Sequence, residues 1–311
     1  MRVLLTGATG FIGSQMARLL LSGGHEVQAV IRPASDPWRI SEMLPSLEVI
    51  PHDLAEHAAV RDRLAADPPA LCIHLAWRGW SGPSLTAEDN VSSLATSLEF
   101  LKSLADAGCR RFVGVGTCFE YDTDAGVLTE ETPTHPKDLY GFCKHTLCRA
   151  AQYMAGLSKM EVAWARVFHV YGPFDDERRL IPSIALALLQ DRTADVTLGE
   201  QVRDFLHVED VCSALWAVAR SAYCGPVNVA SGSPATVKTV AQEIGRILGR
   251  PDGVRLGALP YRAGEPASLA ADVSRLRDTI GWRPRYTLVE GLTQTVNWWK
   301  ARVGSRKELV A

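Results

Sequence analysis

Tyr140-Gly141-Phe142-Cys143-Lys144 sets a phenol and an ammonium four residues apart, which on a helix places both on one face. A phenol with an ordinary pKa of about 10 exchanges protons poorly at neutral pH, and a nearby positive charge favours its ionised form. Lys144 can supply that charge, leaving Tyr140 as a general acid or base. Tyr-x-x-x-Lys also arises by chance on ordinary amphipathic helices, so its chain context decides its weight. The apolar run RFVGVGT at 111–117 predicts a strand ending in Thr117, followed by Cys118-Phe119-Glu120-Tyr121. The carboxyl edge of a parallel sheet is where open α/β folds present groups to ligands. Thr117 can therefore polarise the oxygen that Tyr140 protonates. Cys118 reads as a substrate contact or, the commoner fate of such a residue, a buried thiol.

A second constellation lies at the start of the chain. Thr6-Gly7-Ala8-Thr9-Gly10-Phe11-Ile12-Gly13 follows a predicted strand and opens a predicted helix, the context a dinucleotide-binding fingerprint requires. Gly7 permits the tight turn, Gly10 lets the backbone approach a pyrophosphate, and Gly13 lets helix and sheet pack closely. Thr9, Phe11 and Ile12 complete the expected cofactor loop. The end of the second strand selects the nucleotide, since an acidic residue there binds the adenosine ribose 2′-OH whereas arginine accommodates a 2′-phosphate. Here the strand ends Val30-Ile31-Arg32-Pro33, without the acid. Arg32 with Ser35 is expected to grip a 2′-phosphate, which makes NADP(H) the preferred cofactor and NAD(H) the other option. Against this stands Arg32 as a solvated charge or an arginine stacked on adenine. Asp53-Leu54, ending the third strand, reads as an adenine contact, with Asp53 as a helix N-cap the alternative.

These residues need a scaffold. From Met1 onward VLLTG, FIGSQMARLLLSGG, EVQAVIR, LEVIPHDL, a charged helix, LCIHLAW, a long helix and RFVGVGT alternate strand with helix. That alternation predicts βαβ units and a doubly wound parallel α/β sheet. Residues 1–172 form mainly the dinucleotide-binding domain; 173–311, looser and richer in Gly and Pro, form a smaller substrate lobe that interleaves with it. The 311 residues, 47% hydrophobic and 22% charged, describe an ordinary globular chain. A net charge of −2 offers no positive field for nucleic acid or an anionic membrane. No signal peptide or spanning segment is read, and seven cysteines without a CxxC pair read as reduced thiols of a cytoplasmic protein with no metal site.

Taken together, TGATGFIGS (6–14), IHLAW (73–77), Asn90, GTCFEY (116–121), YGFCK (140–144), RVFHVYGP (166–173), VRDFLHVEDV (202–211) and YRAGEP (261–266) cover nearly the whole chain. On these motifs it resembles the extended short-chain dehydrogenase/reductase family, in its branch of nucleotide-sugar epimerases, dehydratases and ketoreductases. The resemblance implies that Tyr140 is the acid/base, that Lys144 and Thr117 are its partners, and that Leu75 and Ala76 touch the cofactor. It implies further that Arg203 and Arg262 hold the diphosphate of a nucleotide-diphosphate sugar, with Glu265 on the nucleotide ribose. Two phosphates suit two guanidinium forks. The alternative for Arg203 is an ion pair with Asp204 or Glu209. His169, where the family usually has Asn, reads as a substrate contact or as an imidazole packed under the nucleotide, while His207 and Asp210 read as structural. Trp77 and Trp80 read equally as sugar-pocket walls or core. The resemblance also implies a homodimer paired through the helix after Asn90 and the helix bearing Tyr140.

Departures narrow the reaction. The dehydratases of this branch carry Asp-Glu directly after the catalytic Thr, where this chain has Cys118 and Phe119, so elimination of water is not expected. Phe119 also stands where the family's GDP-fucose synthases have a proton-moving Cys, which argues against chemistry beside the ketone. The remaining expectation is an NADPH-dependent 4-ketoreductase of a 4-keto-6-deoxyhexose nucleotide, with a 4-epimerase retaining NAD as the alternative. A ketone reductase resembling dihydroflavonol reductase fits Arg32 but leaves Arg203 and Arg262 idle. A catalytically dead NADP-sensing regulator is a further option, disfavoured because Tyr140 and Lys144 are both present.

Overall fold

The computed structural model describes residues 1–78 and 85–308. In chain order the first half comprises β1 (Arg2–Thr6), α1 (Phe11–Ser22), β2 (Glu26–Val30), β3 (Glu48–Ile50), α2 (His57–Ala66), β4 (Leu71–His74), α3 (Asp89–Asp106) and β5 (Arg111–Thr117). After β6 (Val127–Leu128) come α4 (Leu139–Leu157), β7 (Glu161–Val167), β8 (His169–Tyr171), α5 (Leu180–Leu189), β9 (Ala194–Asp195), β10 (Val202–Arg203) and β11 (Phe205–His207). The chain ends with α6 (Val208–Arg220), β12 (Gly225–Val229), β13 (Ala235–Thr236), α7 (Val237–Ile247), β14 (Val254–Arg255), β15 (Ser268–Ala271) and α8 (Leu288–Glu308).

Seven strands form one parallel sheet in the order β12-β7-β5-β4-β1-β2-β3. Every residue of β5 is buried, as expected for a strand covered on both faces, and its β-branched and small residues satisfy that environment. One face packs against α1 and α6 around Met16, Leu20, Val211 and Leu215; the other carries Phe100, Leu104, Leu147 and Trp164 with α3 and α4. The third strand is shorter than the run LEVIPHDL suggests. It stops at Ile50, before Pro51, which has no N–H to donate to a ladder.

The chain beyond residue 173 is divided between layers. It returns α6 and the edge strand β12 to the main sheet. Meanwhile α5, α7 and α8 enclose a separate core of Ile184, Val240, Ile244, Leu292 and Val296. A small sheet ordered β13-β10-β15-β6 and the β8–β11 pair join the two parts. Among the described residues no helix is long and apolar enough to cross a membrane, and no group of three metal-binding side chains occurs. All seven thiols are free; six are buried and Cys224 is exposed.

Candidate active site

The glycine loop is fixed by contacts that tolerate no side chain. Gly7 has φ +74°, and a Cβ there would lie 2.8 Å from the Ala76 nitrogen. A Cβ on Gly13 would lie 2.0 Å from the Gly7 oxygen, so α1 begins pressed against the loop. Gly10 is the N-cap of α1 and offers no side chain to its first-turn N–H groups, leaving those donors to a phosphate. Thr9, Phe11 and Ile12 sit in the same turn, so the residues present fit the pyrophosphate of a dinucleotide.

Leu75 and Ala76 are held beside Gly7 by a buried relay. The Thr6 hydroxyl oxygen accepts from the Leu75 and Ala76 N–H groups at 3.2 and 3.1 Å. Its own proton is then left for His74 Nδ1 at 2.8 Å, and Nε2 donates to Ser97 Oγ at 3.0 Å, an assignment that follows from the network. Burial pushes His74 down to about 3, so the ring stays neutral. Asp53 does not cap α2, which starts four residues later with Glu56 at its N-cap. It accepts from the Ala55 N–H at 3.0 Å and pairs with Arg78 at 2.6 Å, beside buried Leu54. Arg32 is exposed just past β2, at a turn closed by the Ser35 N–H on its carbonyl at 2.9 Å.

Thr117, Tyr140 and Lys144 come together where β5 meets α4. Asp138 caps α4 by accepting from Gly141 N–H at 2.7 Å, and the Tyr140 N–H is taken by the Leu85 carbonyl at 2.9 Å. A Cβ on Gly141 would lie 2.2 Å from the Phe119 oxygen, so glycine there lets the first turn of α4 press onto the segment after Thr117. The Thr117 side chain stands beside the Tyr140 hydroxyl. Part of Tyr140 stays open, yet its packing desolvates the hydroxyl and raises its pKa, with the neighbouring Thr117 side chain opposing. Lys144 donates to the Val115 carbonyl at 2.8 Å. Burial lowers it to about 7 against the opposing pull of Glu120. In the protein alone, desolvation is the largest influence on the Tyr140 hydroxyl and favours the neutral phenol.

Glu120 is a residue the sequence reading left without a role. It is fully buried and accepts from Thr117 N–H and Trp164 Nε1, both at 2.9 Å, while its other oxygen takes Arg166 Nε at 2.9 Å. With Thr117 it forms a reciprocal capping box over Cys118–Glu120. Thr-x-x-Glu is the legible signal for that device.

On the opposite side, Arg203 is buried and pairs with Glu265 at 2.8 Å, the second Arg203 nitrogen donating to the Val202 carbonyl at 2.8 Å. Neither Asp204 nor Glu209 takes it. Asp204 accepts from Ser231 and Gly232, and Glu209 from Tyr286 and Gln294. Arg262 is exposed on the turn that carries Glu265, whose N–H closes on the Arg262 carbonyl at 3.2 Å. His169 lies near Arg203 and Arg179 and is driven down to about 3 by burial and by their charges. Its Nδ1 is buried without a hydrogen-bond partner in the protein. Arg179, at the N-cap of α5, was not singled out from sequence; it pairs with Asp175 at 3.2 Å and lies 6.0 Å from the Phe11 ring centre, reaching from the C-terminal part to the glycine loop. Cys118 is buried among Tyr121, Leu128, Phe168 and Leu269, and desolvation pushes its thiol up to about 12.

His207 caps α6, and Asp210 accepts from the Arg285 and Tyr286 N–H groups. In the loop after Pro173, Phe174 packs against Trp298 and Trp38. Trp77 faces Lys144, and Trp80 lies outside the described residues.

Residues 3–230 match the model of the NAD dependent epimerase/dehydratase family. The chain is 30% identical to a dTDP-glucose 4,6-dehydratase of Xanthomonas campestris pv. campestris, over 95% of this chain and 92% of that protein. It is 26% identical to a UDP-glucose 4-epimerase of Corynebacterium glutamicum, over 98% of each. Among solved structures, MoeE5 in complex with UDP-glucuronic acid and NAD superimposes with a TM-score of 0.84 at 30% identity, covering 97% of this chain and all of that one.

Proposed function

The chain belongs to the NAD dependent epimerase/dehydratase family, and from that premise we propose that it is an NADPH-dependent 4-ketoreductase of a nucleoside-diphosphate 4-keto-6-deoxyhexose. The observation that carries this reading is the placement of Tyr140 beside Thr117 with no second proton-transfer group at the two positions that follow Thr117. Desolvation raises the Tyr140 pKa, which favours the phenol from which a reduction starts. The positions next to Thr117 are filled by Phe119 and a buried thiol, neither of which can serve a second proton transfer.

Gly7, Thr9, Gly10, Phe11, Ile12 and Gly13 would hold the pyrophosphate, Leu75 and Ala76 would line the cofactor, and Lys144 would reach the nicotinamide ribose. When bound, the dinucleotide supplies the hydride. Tyr140 gives its proton to the C4 oxygen as negative charge develops there, and the Thr117 hydroxyl donates to the same oxygen. Glu120 keeps Thr117 aimed by holding its backbone. Arg203 and the exposed Arg262 would hold the diphosphate, with the unpaired Nδ1 of His169 near Arg203, and Glu265, which pairs with Arg203, would reach the nucleotide ribose.

Preference for NADP(H) rests on Arg32, exposed just past β2 with half-buried Ser35 in the same turn, where no carboxylate ends the strand. A second reading, a 4-epimerase retaining NAD, is favoured by the full-length similarity to the Corynebacterium epimerase. An exposed stripe of Phe142, Tyr153 and Leu157 on α4, beside Val91 on α3, supports a homodimer built on these helices.

Turnover in D2O, followed by NMR of the product sugar, tests the chemistry. Reduction at C4 without deuterium at C3 or C5 is expected; deuterium at either carbon would mean that a proton-transfer group beyond Tyr140 operates.

A further inference from the structure

Lys144 carries a buried charge with an unusual set of partners. It is 4% exposed, and among the described residues no carboxylate forms an ion pair with it. Besides the Val115 carbonyl, its Nζ meets the face of Trp77, 3.9 Å from the ring centre. The indole is not free to turn, because its Nε1–H donates to Asn90 Oδ1 at 2.8 Å. Asn90 is itself 1% exposed and donates to the Ala87 carbonyl at 2.8 Å, so α3 fixes the ring from behind. The same indole stands edge-on to Tyr140, with centroids 6.3 Å apart at 76°. One aromatic ring thus touches both proton-handling groups.

The titratable groups facing Lys144 do not replace it. Glu120 favours the ammonium from β5's end but is spent on Arg166, Trp164 and the Thr117 N–H. His74, from β4, is neutral, and Tyr140, one turn earlier on α4, is a phenol. A desolvated ammonium over an indole face gains a cation–π attraction that is strongest where water is excluded.

We propose that Trp77, clamped by Asn90, is a positioning residue whose indole face stands in for the counter-ion that Lys144 lacks, keeping the ammonium charged and aimed beside Tyr140. The proposal uses the catalytic assignment of Lys144 but neither the substrate nor the direction of the reaction. Its signature is a requirement for a π face at position 77, not merely for an apolar cover.

The test is titration of Lys144 in the whole protein labelled with [13C]lysine, its signal assigned by its loss in Lys144→Met, with near-ultraviolet circular dichroism checking the fold of each variant. The unsubstituted protein should titrate below the usual lysine range, because burial disfavours the ammonium. Trp77→Leu, which keeps water out but removes the π face, should lower the midpoint by about one pH unit. Trp77→Phe, which keeps a π face but loses the Asn90 clamp, should fall by clearly less than the leucine variant. If the leucine variant does not fold, Trp77→Met is read on the same scale. An unchanged or raised midpoint in the leucine or methionine variant, or an equal fall in Trp77→Phe, overturns the proposal. No sugar is added, so this failure is distinguishable from failure of the ketoreductase reading.

Discussion

Around Gly7–Gly13 the site is made of backbone: a left-handed glycine, an uncapped helix start, and two N–H groups pinned to Thr6 by a neutral histidine relay. Around Arg203 it is made of long side chains: a buried guanidinium held by Glu265, an exposed Arg262, an imidazole with one nitrogen unpaired. A phosphate cradle made of amides has few alternatives, because any Cβ at Gly13 collides with the Gly7 carbonyl. A grip made of arginine and glutamate can be retuned by single substitutions. The first arrangement suits a ligand common to a family, the second a substrate that differs between its members. Tyr140, Thr117 and Lys144 belong to neither, coming together where β5 meets α4.

That contrast can be broken at several points. Tyr140→Phe should produce the largest effect, a fall in turnover of about 10²–10⁴-fold, because it removes only the exchangeable proton. Dinucleotide affinity, measured by fluorescence titration, should stay within about twofold of the parent. Activity close to the parent would remove Tyr140 from the chemistry. Arg203→Ala should raise the KM for the nucleotide sugar by about 10–100-fold, the range of a lost charge-assisted hydrogen bond, and leave dinucleotide binding unchanged. If it weakens both ligands alike, the two sides are not separate. Arg32→Ala should weaken NADPH by about tenfold or more and spare NADH, which isothermal titration of both cofactors will read. Equal losses would make Arg32 a general contact. Cys118→Ala should change kcat by no more than about two- to threefold, since a thiol held protonated by burial has no part in proton transfer.

The same contrast explains what the sequence disclosed. Glycine spacing and strand–helix alternation leave direct marks, so the loop, the parallel sheet and the approach of Thr117 to Tyr140 and Lys144 are all legible before any coordinates. Side-chain partnerships across distant segments leave none. Arg203 pairs with Glu265, 62 residues away, instead of its neighbours Asp204 and Glu209. Asp53 turns to Arg78 instead of capping α2, because Pro51 ends the strand early and the helix starts only at His57. Glu120 was discernible as a capping pattern, but its buried bond to Arg166 spans 46 residues and requires the fold. Burial is equally invisible in spacing: desolvation raises the pKa of the Tyr140 phenol and lowers that of the Lys144 ammonium, and neither follows from the Tyr-x-x-x-Lys pattern.

The central claim is that this site adds hydride and one proton to a ketone. Its most direct test is absorbance at the nicotinamide band as purified protein meets NADPH and a panel of nucleoside-diphosphate 4-keto-6-deoxyhexoses. Many turnovers, with one NADPH consumed for each sugar reduced and NADH used less well, are the predicted result. No net oxidation, together with a tightly held dinucleotide and interconversion of sugars that carry no ketone, would contradict it and make the protein an epimerase.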